Sequence, residues 1–312
     1  MNIEHKEYSF HSATGITDIY VQSIAPENKA DIRGIISVVH GMAEHSDRYQ
    51  DIAKMMCEKG YAVFMHDHAG HGKSIESVDD LGFFGNKDGA ENVVDDVKTV
   101  VELAKKSYPG VPVIIWGHSM GSFITRRVIA KYPSLAEGAV ICGTSGANPA
   151  AGAGIAVAKL ISYILGSRHR SKLLDTMAFG SYNKKFTGNT GFEWLSENKE
   201  NVDTYVQDAK CGYKFTAAGF KDLFTLLSSV STEEWYNSVP SDLKIYLIAG
   251  DMDPVGNYGK GVTEVYEKLK ATGHNNTSIK LYKGLRHEIH NECCREKIVG
   301  DILTFADSVT KR

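Results

Sequence analysis

A serine lies between two glycines in the segment Gly117-His118-Ser119-Met120-Gly121. The segment follows an apolar run typical of a buried strand and precedes a run with helical spacing. A serine with glycines two residues before and after it, at a strand-to-helix turn, has the pattern of a nucleophile elbow. The neighbouring chain passes so close to this strained turn that side chains at the glycine positions would clash. The pattern predicts a nucleophilic Ser119, and the alternative is a glycine-rich turn with an inert serine.

A serine hydroxyl needs an adjacent base, and a third group must orient that base. In the elbow architecture, the acid and then the histidine follow the serine along the chain. The strand that ends at Gly250 leads into a loop with Asp251 and Asp253, and the strand that ends at Tyr282 leads into a loop with His287. We predict that His287 is the general base and then the acid, and that the Asp253 carboxylate fixes its tautomer.

Both assignments have competitors nearby in the sequence. Asp251 stands at the strand exit, where a carboxylate often caps a turn, whereas Pro254 stiffens the loop behind Asp253. His290 falls near the start of the last predicted helix, and we expect it on the surface. His274 lies in a polar loop and is a weaker alternative.

A tetrahedral intermediate needs two hydrogen-bond donors for its oxyanion. One predicted donor is the Met120 N–H, at the start of the helix after the serine. The second is the Met42 N–H, in the loop that follows an early strand. We expect His40, Gly41 and His118, which flank these groups, to contact the substrate. Without the elbow downstream, His40-Gly41 would be read as a plain turn at the end of a strand.

Three histidines lie close together at residues 66, 68 and 71. Their spacing on a glycine-rich loop lacks the i, i+4 geometry of a helical zinc motif. We therefore predict no metal here, but a rigid loop near the oxyanion side that side-chain hydrogen bonds hold in place.

These groups must be positioned by strands. Strands are predicted at residues 4–12 and 17–25, as an antiparallel hairpin, and at 35–39, 61–65, 111–116, 138–142, 243–250 and 278–282. Helical spacing fills most of the intervals between the later strands. The alternation predicts an α/β fold, with a mostly parallel eight-stranded sheet covered by helices on both faces.

The alternation stops between residues 148 and 231. We interpret 148–231 as an inserted, mainly helical cap, between a first core part (1–147) and a second core part (232–312). The apolar run 155–165 is a candidate wall for an acyl tunnel, and the alternative is that it packs the cap onto the core. The other candidates for that wall are Phe179, Phe186, Phe215 and Phe220.

The chain has 312 residues, of which 42% are hydrophobic and 23% are charged, as in an ordinary globular enzyme. A net charge of −3 gives no indication of a nucleic-acid partner. The five cysteines show no C-x-x-C spacing, and residues 1–8 lack the apolar core of a signal peptide. We therefore expect a cytoplasmic protein. The basic run 168–172 is a candidate for weak association of the cap with membrane surfaces, although a solvated loop is the simpler reading; the oligomeric state is not predicted.

Several stretches together resemble the monoacylglycerol lipases and bacterial lysophospholipases, serine hydrolases whose wider group includes some peptidases. Residues 40–49 are similar to their H-G-x-x-E-H-x-x-R-Y signature, and residues 67–74 to their D-x-x-G-H-G-x-S loop. The elbow also matches theirs, and their acid and histidine loops correspond to Asp253 and His287. The resemblance implies an α/β-hydrolase fold, a mobile cap, no cofactor, and an oxyanion hole formed by Met42 and Met120.

The leading hypothesis is a serine hydrolase that forms an acyl-enzyme on small-molecule esters, of the monoacylglycerol or lysophospholipid type. A short-chain carboxylesterase or an aminopeptidase of the same fold remains an alternative. A further alternative from a different class is a catalytically silent hydrolase fold that binds small molecules. The presence of all three triad residues on suitable loops favours catalysis.

Overall fold

A computed structural model describes residues 2–311, and its centre is one eight-stranded sheet. The strands occur within two residues of their predicted bounds. They are β1 (Ile3–His11), β2 (Asp18–Pro26), β3 (Gly34–Val39), β4 (Tyr61–His66), β5 (Val113–His118), β6 (Gly138–Cys142), β7 (Lys244–Gly250) and β8 (Thr277–Tyr282).

The strand order is β1-β2-β4-β3-β5-β6-β7-β8. β1 and β2 form the predicted antiparallel hairpin, and β2 runs antiparallel to β4. The six strands β4-β3-β5-β6-β7-β8 are all parallel to one another. The carboxyl ends of these parallel strands therefore meet at one edge of the sheet, where ligands bind in open α/β sheets.

Ten α-helices surround the sheet within the described residues. They are α1 (Gln50–Cys57), α2 (Gly89–Ser107), α3 (Met120–Lys131), α4 (Ala151–Leu165), α5 (Lys172–Phe179), α6 (Lys199–Gln207), α7 (Ala217–Ser229), α8 (Glu233–Ser238), α9 (Lys260–Ala271) and α10 (Arg295–Thr310).

The central strands are buried on both faces, as their continuous apolar sequences predict. Their side chains alternate between two buried clusters: Ile35 and Ile115 point to one, and Ile36 and Ile114 to the other. Helices α2, α3 and α9 complete the first cluster, and α1 and α10 complete the second. The sheet is thus covered by helices on both faces, as the sequence predicts.

Between β6 and β7 the chain forms no strand among the described residues, but it forms α4 to α8 and two short 3-10 helices. The prediction of an inserted, mainly helical segment is confirmed, while its bounds at 148 and 231 stay a prediction. None of the described helices has the length and apolar character needed to cross a membrane.

Candidate active site

Ser119 occupies a strained turn between β5 and α3. Its backbone has φ 54° and ψ −122°, in a region that non-glycine residues rarely adopt. A Cβ at Gly117 would lie 2.3 Å from the Gly121 carbonyl oxygen, and a Cβ at Gly121 would lie 2.0 Å from the Val39 carbonyl oxygen. Both glycines are therefore required by close backbone packing, as the sequence pattern predicts.

His287 and Asp253 meet at the carboxyl edge of the sheet. His287 Nδ1 lies 2.9 Å from Asp253 Oδ2, and both side chains are buried. Since an ionised carboxylate can only accept, Nδ1 carries the proton and Nε2 is left unprotonated and able to accept. Asp253 Oδ1 also accepts the Val255 N–H at 2.9 Å, which fixes the carboxylate.

Burial lowers the pKa of the His287 imidazole, but the Asp253 charge and its hydrogen bond outweigh burial, so the net pKa is raised. Ser119 lines the same cavity as His287. Its hydroxyl makes no hydrogen bond to any other described residue, so the structure brings the serine near the His–Asp pair without a direct bond. Such contacts are often long in the absence of substrate.

The competing residues have other partners. Asp251 Oδ1 accepts the Gly284 N–H at 2.7 Å, which ties the β7 loop to the β8 loop. The His274 ring contacts the carbonyl oxygens of Val239 and Leu269, both at 3.0 Å. Neither residue lines the cavity.

The expectation of a surface position for His290 is wrong. The residue is fully buried, because the chain forms a short 3-10 turn (Ile289–Asn291) beneath the site before α10 begins. Its ring stacks on Tyr49 with centroids 5.0 Å apart and meets His118 edge-on at 4.5 Å. Burial lowers its pKa to about 3, so the ring is neutral at pH 7.

The two expected oxyanion donors flank Ser119. Met42 and Met120 both line the cavity with the serine, and neither backbone N–H donates to another described residue. The oxyanion loop approaches the serine closely, since a Cβ at Gly41 would lie 3.1 Å from Ser119 Cβ. Two unpaired donors beside a serine are what an oxyanion hole requires.

One cavity of about 890 Å³ contains this edge of the sheet and the inner face of the inserted helices. Its apolar part comes mainly from α3, α4 and α7 and from the end of α5. The residues of that part are Phe123, Ala151, Gly154, Phe179, Leu223, Phe224 and Leu227.

Most of the predicted tunnel residues lie elsewhere. Phe179 lines the cavity, but the run 155–165 and the other three phenylalanines do not. The end of α4 turns outward, so that Tyr163 is 89% exposed. Phe215 and Phe220 are fully buried and pack against each other, and Phe186 lies under the Arg286 guanidinium.

A buried ionic network joins the loop that holds Met42 to the loop that holds His287, and the sequence did not predict it. Arg48 donates to Glu44 at 2.6 Å and to both carboxylate oxygens of Glu288 at 2.8 and 2.6 Å. Glu44 accepts the Gly41 N–H at 2.6 Å, and Glu288 directly follows His287. The Arg48 guanidinium therefore joins the loop that holds Gly41 to the loop that holds His287. The i, i+4 spacing of Glu44 and Arg48 was the available sequence signal.

His118 belongs to this network as much as to the cavity. Its Nδ1 lies 3.2 Å from both Glu44 Oε1 and the Tyr49 hydroxyl, and its Nε2 lies 3.3 Å from the His287 carbonyl oxygen. The ring lines the cavity wall but is 2% exposed. Its observed contacts are those of a residue that orients the loop that carries His287.

His40 does not face the cavity, so the structure corrects its expected role in substrate binding. It is fully buried, and its Nε2 accepts the His68 N–H at 3.0 Å while His68 Nε2 contacts the His40 carbonyl oxygen at 3.1 Å. Burial lowers the pKa of His68 to about 4 and that of His71 to about 3, so these rings are neutral at pH 7. Residues 66–71 therefore support the loop that holds His40 and Met42 through these contacts.

Two groups of described residues place three potential metal ligands within 4.8 Å of one another, and neither includes the 66–71 loop. One contains His118, Cys142 and His290, and the other contains His45, Asp208 and Cys211. In the second group His45 already contacts Asp208 at 2.8 Å as an ordinary pair. The chemistry of the serine site needs neither group.

The chain is similar to several known hydrolases. The sequence profile of the family described as serine aminopeptidase, S33, matches residues 30–294. The monoglyceride lipase of Mus musculus is 30% identical over 83% of this chain and 77% of its own length, and the monoacylglycerol lipase of Mycolicibacterium smegmatis is 27% identical over 96% of both chains. A thermostable carboxyl esterase from Bacillus coagulans, solved with glycerol, is 31% identical with a TM-score of 0.92 and covers 98% of this chain and 99% of its own.

These similarities confirm the α/β-hydrolase fold and the expected relationship to monoacylglycerol lipases. They also set aside the silent binding protein: the chain is an enzyme, a serine hydrolase of the esterase and lipase type. The chain belongs to the serine aminopeptidase S33 family of serine hydrolases, together with the monoglyceride lipases.

Proposed function

We propose that this enzyme hydrolyses esters of a single acyl chain, of the monoacylglycerol or lysophospholipid type, through a Ser119–His287–Asp253 triad. The observation that carries the proposal is one cavity in which Ser119, His287 and two unpaired N–H groups adjoin a long apolar wall.

In the proposed first half-reaction, Ser119 Oγ attacks the ester carbonyl carbon while His287 Nε2 takes the hydroxyl proton. The carbonyl oxygen becomes an oxyanion that accepts from the Met42 and Met120 N–H groups. Asp253 stabilises the imidazolium and holds its tautomer. Collapse breaks the C–O bond to the alcohol, which leaves with the proton from Nε2. Water then repeats the sequence on the acyl-enzyme and releases the acid.

The lining of the cavity supports an acyl chain of substantial length. Apolar residues of α3, α4 and α7 line the same cavity as Ser119, and the volume is that of a site for a whole small molecule. Polar lining groups, Glu44 and Tyr205, adjoin the oxyanion loop, and the Tyr205 hydroxyl donates to the Ala43 carbonyl oxygen at 3.1 Å. We place the acyl chain along the apolar wall and the head group near this polar side.

A hydrolysis panel tests the proposal. Monoacylglycerols, a lysophosphatidylcholine and p-nitrophenyl esters of rising chain length are offered to the wild type and to Ser119→Ala. We expect the highest kcat/KM on medium or long acyl chains and loss of nearly all turnover in Ser119→Ala. The triad proposal fails if Ser119→Ala keeps wild-type activity.

A short-chain carboxylesterase is the second candidate, because the Bacillus coagulans carboxyl esterase is so similar to this chain. The same panel separates the two candidates. A maximum of kcat/KM at acetate or butyrate favours the short-chain esterase.

We also propose that residues 148–231 act as a cap that docks weakly on membrane surfaces. The outer face of α4 exposes Leu160, Tyr163, Ile164 and Leu165. This face is continuous with α5, where Met177 is 45% exposed and also lines the cavity. An apolar face beside the cavity mouth suits the surface of a lipid bilayer.

Co-sedimentation with phosphatidylcholine vesicles tests this docking. The double substitution Ile164→Ser with Leu165→Ser is expected to reduce the bound fraction severalfold, since each apolar side chain adds to the buried area. Ile3→Ser, on the exposed edge strand β1, is the matched control. Equal binding by all three proteins contradicts the docking proposal.

We further propose a cytoplasmic location. All five cysteines are free thiols, and three of them are buried. Free thiols suit a reducing compartment. Fractionation of cells that produce the protein, with an antibody against it, checks the location.

A further inference from the structure

Arg126 is a fully buried arginine of α3 whose guanidinium has no carboxylate partner among the described residues. Burial lowers its pKa to about 10, so the side chain stays charged at pH 7. The guanidinium lies over the Trp235 ring at 4.3 Å, and Trp235 Nε1 donates to the Arg126 carbonyl oxygen at 2.7 Å. A buried charge without a counter-ion is costly, so its contacts call for an explanation.

The guanidinium donates to oxygen atoms at both ends of the inserted segment. Nη1 donates to the Ser145 carbonyl oxygen at 2.9 Å and to Thr144 Oγ1 at 3.3 Å, just after β6. Nη2 donates to the Val230 carbonyl oxygen, just before α8. A single side chain therefore ties together the points where the chain leaves the core and returns to it.

Those two points lie next to the start of α4 and the end of α7, which we call the bases of the two helices. α4 begins six residues after Ser145, and α7 ends one residue before Val230. The two helices pack closely, since a Cβ at Gly154 would lie 2.8 Å from the Phe224 ring. Both helices supply the apolar wall of the cavity. A displacement of either base therefore displaces the wall.

We propose that Arg126 is a positioning residue that sets the acyl-chain specificity of the enzyme by fixing the bases of α4 and α7. Arg126 does not line the cavity, so it acts on a bound acyl chain through the position of the wall. This role rests on the proposed function, because it assigns the wall to the acyl chain. Loss of the guanidinium then weakens binding of long chains, which need the whole wall, more than binding of an acetyl group at the serine.

The test compares kcat/KM for p-nitrophenyl decanoate and p-nitrophenyl acetate in the wild type, Arg126→Met and Arg126→Lys. We expect Arg126→Met to lower the decanoate-to-acetate ratio about tenfold, mainly through KM, since small misplacements of binding groups have effects of this size or larger. Lysine keeps the charge and can bond to one of the two helix bases, so Arg126→Lys should lower the decanoate-to-acetate ratio less than Arg126→Met does. If Arg126→Met does not fold, the Arg126→Lys ratio decides.

Arg127→Met is the matched control. Arg127 is the next residue of α3, but it pairs with Glu91 at 2.6 Å near the surface. The decanoate-to-acetate ratio of Arg127→Met should therefore equal that of the wild type. A wild-type ratio in both Arg126 variants overturns the positioning role, even if their melting temperatures fall. A wild type that hydrolyses neither ester overturns the proposed function and this role together.

Discussion

Arg48→Met tests the buried ionic network that joins the loop that holds Met42 to the loop that holds His287. The substitution leaves the carboxylates of Glu44 and Glu288, each 2% exposed, without their cation. Breaking one buried pair typically costs about 3–5 kcal/mol, so we expect a loss of about 4 kcal/mol in the free energy of unfolding. For a chain of this length the unfolding entropy is about 0.65 kcal/mol per kelvin, and the melting temperature should fall by about 6 °C.

Calorimetry at pH 7 and urea titration measure this loss, with Arg127→Met as the surface control. Arg127 and Glu91 are 26% and 41% exposed, so that variant should lose no more than about 1 kcal/mol. Adding Glu288→Gln to Arg48→Met removes one uncompensated charge and should restore part of the stability. If the double variant is less stable than Arg48→Met alone, the electrostatic account is refuted.

The network also predicts a pH dependence of stability. Burial raises the pKa of the Glu288 carboxyl, but Arg48 outweighs burial and holds that pKa at about 2, below its ordinary value of 4.5. A depressed native pKa adds stability that is complete above the unfolded pKa and is lost as the pH falls toward the native pKa. The stability difference between the wild type and Arg48→Met should therefore be largest above about pH 4.5 and shrink toward pH 2. A difference that stays constant over this range argues against the ionic origin.

Three further predictions concern the triad and the elbow. Asp253→Asn should lower kcat by about 10⁴-fold, whereas Asp251→Asn should keep activity within about tenfold of the wild type; steady-state kinetics on one p-nitrophenyl ester compares them, and an inactive Asp251→Asn alone would reverse the assignment. The pKa of His287 is raised above 6.5, and the imidazole must be neutral to act as the base. As the pH is lowered, kcat/KM should therefore reach half of its plateau value at a pH above 6.5. A pH–rate profile measures this midpoint, and a midpoint below pH 6.5 contradicts the prediction. Gly121→Ala should yield little folded protein by circular dichroism, because its Cβ would lie 2.0 Å from the Val39 carbonyl oxygen; a stable variant would show that the turn can relax.

Much of the core could be read from the sequence, because its signals are local. Continuous apolar runs predict the buried strands, and the elbow glycines predict the turn because larger side chains would clash at their positions. The predicted acid and base also follow from chain order, since each lies directly after a strand that must end at the same edge of the sheet. The hydrogen bond between His287 and Asp253 agrees with that reasoning.

What the sequence left open depends on contacts between distant segments. Arg48 and Glu288 are 240 positions apart, and no local pattern pairs them. His290 looked like a surface residue at the start of a helix, yet a short turn buries it beneath His118. The sequence does not distinguish Arg126 from an ordinary helical arginine. Only the fold brings the loop after β6 and the end of α7 to its guanidinium.

The inserted segment between β6 and β7 shows the same division most clearly. Its sequence predicted an inserted, mainly helical segment with an apolar run at 155–165, because the strand–helix alternation stops there. Only the tertiary structure decided which side of α4 faces the cavity and which faces solvent, because a largely apolar helix has no polar stripe to mark its outer face. The prediction of Ser119 as the nucleophile thus follows from the local sequence, whereas the apolar wall of the cavity depends on the packing of α4 against α7.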